Sequence, residues 1–77
     1  MIAEHDPVVL TRDLPEFGLA AGDVGVVVHR YPDASGFEVE FVTASGETVA
    51  AATLAPTDVR ALVGREILHV RDLTLAA

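Results

Sequence analysis

Polar and apolar positions alternate most regularly in residues 37–42, where Phe37, Val39 and Phe41 take turns with Glu38 and Glu40. A period of two predicts a strand with one dry face and one wet face. Residues 24–30 form a Val-rich run in which Val24, Val26 and Val28 share one face, and Gly25, Val27 and His29 the other. A glycine inside a strand marks a bulge or a close backbone approach. Pro7 opens a further strand over residues 8–12, because Pro is tolerated as a strand's first residue. Residues 48–54 give a fourth strand and residues 60–63 a short fifth. The Ala-rich stretch 49–52 favours helix by propensity, but Thr48, Val49 and Thr53 around it and the turn before it favour a strand. Turn chemistry separates the runs: Pro32-Asp33 and Ser35-Gly36, then Ala44-Ser45-Gly46-Glu47. Pro56-Thr57-Asp58-Val59 reads as one helical or 3-10 turn. A long loop, 13–23, holds Pro15, Gly18 and Gly22, with Leu14, Phe17 and Leu19 as its expected apolar anchors.

Short strands separated by frequent turns predict a small barrel or sandwich. The order is strand, long loop, three hairpin-linked strands, one helical turn, short strand. It resembles an SH3-like barrel: all-β, five-stranded, with a short 3-10 turn and a C-terminal extension. The expected division is a barrel over 1–63 and a C-terminal arm or extra strand over 64–77. Ile67, Leu68, Val70, Leu73 and Leu75 of that arm fit neither period cleanly.

A chain of 77 residues is one domain with a marginal core. It has no Cys, which excludes disulfides and thiolate zinc sites, fits a reducing compartment, and leads us to expect a cytoplasmic location. The opening MIAEHDP has neither a basic region nor an apolar run, so no signal peptide is expected, and no stretch reaches a membrane span. The charge is lopsided. Residues 1–58 carry ten acids and two Arg, a balance of −8, whereas residues 59–77 carry two acids and three Arg, a balance of +1. An acidic body repels phosphate backbones, so no nucleic-acid partner is expected. It favours solubility or docking on a basic partner.

Candidate chemistry is sparse. Gly22-Asp23-Val24-Gly25 can cradle an anion through backbone amides, but a phosphate loop needs a Lys and a following helix, and glycines also serve a turn. His5, His29 and His69, with Glu4, Asp6 or Glu66, match no strong zinc spacing, so no metal and no cofactor is expected. Ser35 and Ser45 both fall in predicted turns. Glu38 and Glu40 lie about 7 Å apart on one strand face, in a chain too small for a glycosidase cleft. The chain is therefore expected not to be an enzyme.

The stretch VVLTRDLPEFGLAAGDVGVVVHRYPDASGFEVEFVTASGETVAAATL resembles the family of small bacterial proteins known as domain of unknown function 4926. The resemblance rests on Leu14-Pro15, Gly22-Asp23-x-Gly25, Tyr31-Pro32-Asp33, Glu38-Val39-Glu40-Phe41 and Thr53-Leu54, with His69-Val70-Arg71-x-Leu73 similar to the family's C-terminal end. It implies an SH3-like barrel and no catalytic residues. A weaker similarity, through GDxGxV, reaches the SH3-like part of the nitrile hydratase β subunit and KOW-type modules, although the basic residues of the latter are missing here.

Binding is what remains. The expected function is a non-catalytic protein–protein interaction module, meeting a protein partner or another copy of itself. The candidate partner-binding residues are Leu14, Phe17, Leu19, Tyr31, Glu38, Glu40, Ile67, His69 and Val70. Phe17 is either an exposed anchor or a lid folded under its loop. Two alternatives stand beside this reading: an antitoxin or immunity-like neutraliser of a basic nuclease, and an accessory subunit of a nitrile hydratase-like metalloenzyme.

Overall fold

The computed structural model describes residues 1–73. Five strands, β1 (Pro7–Leu10), β2 (Val24–Arg30), β3 (Phe37–Val42), β4 (Thr48–Leu54) and β5 (Val59–Ala61), form one antiparallel sheet in the order β4-β3-β2-β1-β5. Three 3-10 turns, at Pro15–Phe17, Pro32–Ala34 and Pro56–Asp58, complete the described elements. No ladder joins β4 to β5 among the described residues, so the sheet has two edges. It nevertheless curls: side chains of both edge strands, Ala50, Ala52 and Leu54 from β4 and Val59 from β5, belong to one core with Val8, Leu10, Val27, Phe37, Val39 and Phe41.

The middle strands carry the bounds that alternation and turn chemistry predict. Gly46 adopts φ 88° in the β3–β4 turn, a conformation that costs a glycine little. The outer strands differ from expectation. β1 ends at Leu10, not Arg12, because Thr11 and Arg12 leave the ladder for the Pro56–Asp58 turn. The Thr11 amide donates to the Asp58 carbonyl at 2.8 Å, its hydroxyl to the Thr57 carbonyl at 2.6 Å, and Arg12 Nε to Asp58 Oδ1 at 2.9 Å. β5 correspondingly starts one residue early, at Val59, which pairs with Leu10 and is buried.

Gly25 proves to be a close approach, and the bulge lies elsewhere, between Val27 and His29. A Cβ at Gly25 would stand 2.7 Å from both Phe41 Cε1 and Val39 Cγ1. Phe41 therefore fills the space that a side chain on β2 would need. This decides which face of the Val run is dry. Gly25 and Val27 point inward, and Val24, Val26 and Val28 stay exposed.

The long loop folds on itself. Leu14 and Leu19 bridge as an antiparallel pair around the Pro15–Phe17 turn, and both are buried. Asp13 and Asp23 accept the amides of Ala21 and Ala20 at 2.9 and 2.8 Å. These bonds satisfy loop backbone that no ladder reaches.

Candidate partner-binding surface

Three features of the surface derive from this fold. The first is the outer face of the sheet. Glu38 and Glu40 project from β3, half-buried, each tied to a neighbour on β4. Thr53 donates to Glu38 Oε1 at 2.6 Å and Thr48 to Glu40 Oε2 at 3.0 Å. Tyr31 adds a long bond to Glu38 at 3.4 Å and packs edge-on to His29. Beside the carboxylates, Val24, Val26, Val28 and Val42 remain 39% to 51% exposed. Val26 stands directly across from Glu40.

The second feature is the C-terminal segment. Residues 62–73 carry no strand, and Leu75 lies outside the described residues. The segment is clamped at two points. Glu66 takes both terminal nitrogens of Arg60, at 2.9 and 2.5 Å, and also the Val63 amide at 2.6 Å. Arg71 binds Asp23 through Nε at 3.2 Å and through its second terminal nitrogen at 2.5 Å, and donates to the Gly18 carbonyl at 3.2 Å. Between the clamps, Ile67, Leu68 and Val70 are 93%, 69% and 90% exposed. Their backbone makes no hydrogen bond with another described residue. The segment is a strap with a bare apolar span.

Electrostatics reinforce both clamps. Arg60 and then the Val63 amide hold the Glu66 carboxyl down at about 2. At Asp23 partial burial opposes ionisation, but the Arg71 hydrogen bond and the Ala20 amide outweigh it, and its carboxyl sits below the usual range. Their guanidinium partners are raised in turn, chiefly by the same hydrogen bonds.

The third feature is an open groove of about 490 Å³ between the strap and the β3–β4 turn, lined among others by Leu19, Val24, Val42, Val49, His69 and Leu73.

Of the sequence-derived candidates, Tyr31, Glu38 and Glu40 share the outer sheet region, while Ile67, His69 and Val70 share the strap. Leu14 and Leu19 lie in the core, where they hold the loop closed. Phe17, at the loop tip, is 40% exposed and outside the core. Sequence reasoning missed Arg60, Glu66, Asp23 and Arg71 as the residues that fix the strap. Val63-x-x-Glu66 was the available signal, since a Glu three residues on can accept the earlier amide. Nothing in the sequence signals the pairing of Arg71 with Asp23. Among the described residues, no three His, Asp or Glu side chains converge as metal ligands. No described helix is long and apolar enough to cross a membrane.

A small, curled, open all-β domain with an acidic outer face and a clamped apolar strap is the class these observations define. A family model described as "Domain of unknown function (DUF4926)" matches residues 4–61, well over half of the chain, and the protein belongs to that family. The match ends with β5, so the strap and its His69-Val70-Arg71 lie beyond the matched residues. Comparison with curated proteins returns no match, and neither does comparison with solved structures.

Proposed function

We propose that the protein is a non-catalytic protein–protein interaction module built on an SH3-like half-open barrel. The strand order β4-β3-β2-β1-β5 and the 3-10 turn before β5 support the SH3-like reading. The strap carries the binding reading. Side chains as apolar as Ile67, Leu68 and Val70 are normally buried, yet here two charge-assisted clamps hold them in water. Clamping limits the ordering entropy that association must overcome. It also presents four residues, 67–70, whose backbone is unpaired among the described residues, the template for adding a strand to another chain.

The test is capture from host extract with immobilised protein, comparing the natural chain with the Ile67→Asp/Val70→Asp double variant. Both positions are exposed, so the variant keeps its fold, as circular dichroism will show. The reading predicts a protein retained by the natural chain and lost by the variant. Equal recovery on both, or none on either, overturns it.

A further inference from the structure

The outer face of the sheet combines exposed apolar side chains with unneutralised charge. Val24, Val26 and Val28 of β2 and Val42 of β3 stay exposed there as neighbours. Adjoining exposed apolar side chains mark interaction sites, whereas scattered ones are ordinary. Glu38 and Glu40 stand beside them, with Val26 directly opposite Glu40. Both carboxylates are half-buried and held by neutral hydroxyls, Glu38 by Thr53 and Tyr31, and Glu40 by Thr48. Among the described residues neither has an arginine partner, whereas Asp58, Glu66 and Asp23 each do. β3 and β4 contain no Lys or Arg. Arg30, the one arginine of β2, stands opposite Phe37, whose side chain enters the core, so Arg30 leaves the sheet on the other face. His29, opposite Glu38, already faces Glu4 at 3.4 Å. Val26, Val28, Glu38 and Glu40 stand outside the groove that residues 69–73 line.

We propose that this face is a docking surface for a basic amphipathic helix of a partner protein, whose apolar stripe covers the valines while Lys or Arg side chains along its edge reach Glu38 and Glu40. This rests on reading the protein as an interaction module and gives it a second contact, apart from the strap. Charge complementarity selects the partner. An uncharged occupant would bury two carboxylates without a counter-charge, which is costly. A second copy of this chain, at a net charge of −7, would bring acid against acid. Spacing selects the helix. Glu38 and Glu40 are two residues apart on one strand, about 7 Å. Side chains four apart on a helix stand about 5–6 Å from each other, and the long stems of Lys and Arg close the remainder. A helix about 10 Å across covers two strands that lie about 4.8 Å apart. The threonine hydroxyls fix both carboxylates before a partner arrives, which limits the ordering that docking requires.

The test is an NMR titration of the full chain with a synthetic leucine–lysine peptide that is amphipathic as a helix. The same peptide with Glu in place of Lys is the control. Glu38→Gln/Glu40→Gln removes both charges and leaves an acceptor oxygen for each threonine. Glu16→Gln/Glu47→Gln removes as much charge from exposed positions elsewhere. Each ion pair of this kind is worth about threefold in affinity. The proposal therefore predicts binding weakened about tenfold by the first pair of substitutions. The second pair acts only through screened long-range attraction and weakens it by less than about twofold. Peptide-induced shifts should concentrate on residues 24–28 and 38–42.

Absence of binding, equal weakening by the two pairs, or shifts centred on the strap overturn the proposal. Equal binding of the glutamate peptide assigns the face to a purely apolar partner, and concentration-dependent shifts of these residues without peptide assign it to a second copy. Either result overturns it as well. None of these readouts involves Ile67 or Val70, so this proposal and capture of a protein by the strap fail separately.

Discussion

Gly25→Ala tests the packing argument through the sign of its effect. In an open strand, replacing Gly by Ala stabilises by about 0.4–1 kcal/mol, because it reduces the freedom of the unfolded chain. At Gly25 the new methyl would sit 2.7 Å from Phe41 Cε1, 2.7 Å from Val39 Cγ1 and 2.9 Å from Phe41 Cδ1. Real carbon contacts lie near 3.5–4.0 Å. Phe41 and Val39 are both fully buried, and Val39 is β-branched, so neither yields without disturbing the core. Overpacking of this kind costs about 1–3 kcal/mol. The net expectation is destabilisation by about 1–2 kcal/mol, a fall in Tm on the order of 10 °C for a domain of this size. Urea unfolding followed by circular dichroism measures it, with an unchanged m-value to show that the compactness of the states is preserved. A variant as stable as the natural chain, or more so, would refute the claim that Phe41 occupies the space left by Gly25.

Leu14→Ala removes a side chain only 1% exposed and should cost about 2–5 kcal/mol. Phe17→Ala, three residues on at the exposed loop tip, should cost about 1 kcal/mol or less by the same urea titration. Arg71→Ala breaks an ion pair whose side chains are 37% and 20% exposed. It should therefore change stability by no more than about 1 kcal/mol, yet limited proteolysis should cut residues 62–73 faster once the clamp is gone. The pH response follows from the depressed Glu66 carboxyl, lowered from 4.5 to about 2. The clamp is fully formed above the unfolded value and is lost as pH falls through that window. An NMR titration of Glu66 should show the low midpoint, and Arg60→Gln should return it toward 4.5.

Much of the sheet is legible in the chain because local and long-range signals agree there. Phe37, Val39 and Phe41 alternate with glutamates between two turn sequences, and β2, β3 and β4 fall on the predicted residues. Agreement ends where tertiary partners intervene. Thr11 and Arg12 look like strand residues, but Asp58 and Thr57, distant in sequence, claim their hydrogen bonds. The Val run is ambiguous by composition, because valines stand on both faces. Only the proximity of Phe41 to Gly25 shows which face is wet. The strap was visible as an apolar tail that fits no period. Its clamps were not, since Arg71 reaches Asp23 across 48 positions of sequence. Of the residues singled out for binding, Leu14 and Leu19 carry the apolar signal of an anchor, and a core anchor reads the same as an interface anchor in sequence.

Amide hydrogen exchange across the strap is the most direct measurement of the central claim, that this domain works by presenting surface. It should be made on dilute protein and again on the complex recovered from extract. The account predicts that amides of residues 67–70 exchange at nearly the unprotected rate in the dilute chain, where they have no backbone partner among the described residues, and become protected in the complex. Protection already present in the dilute chain, or unchanged rates in the complex, would contradict it.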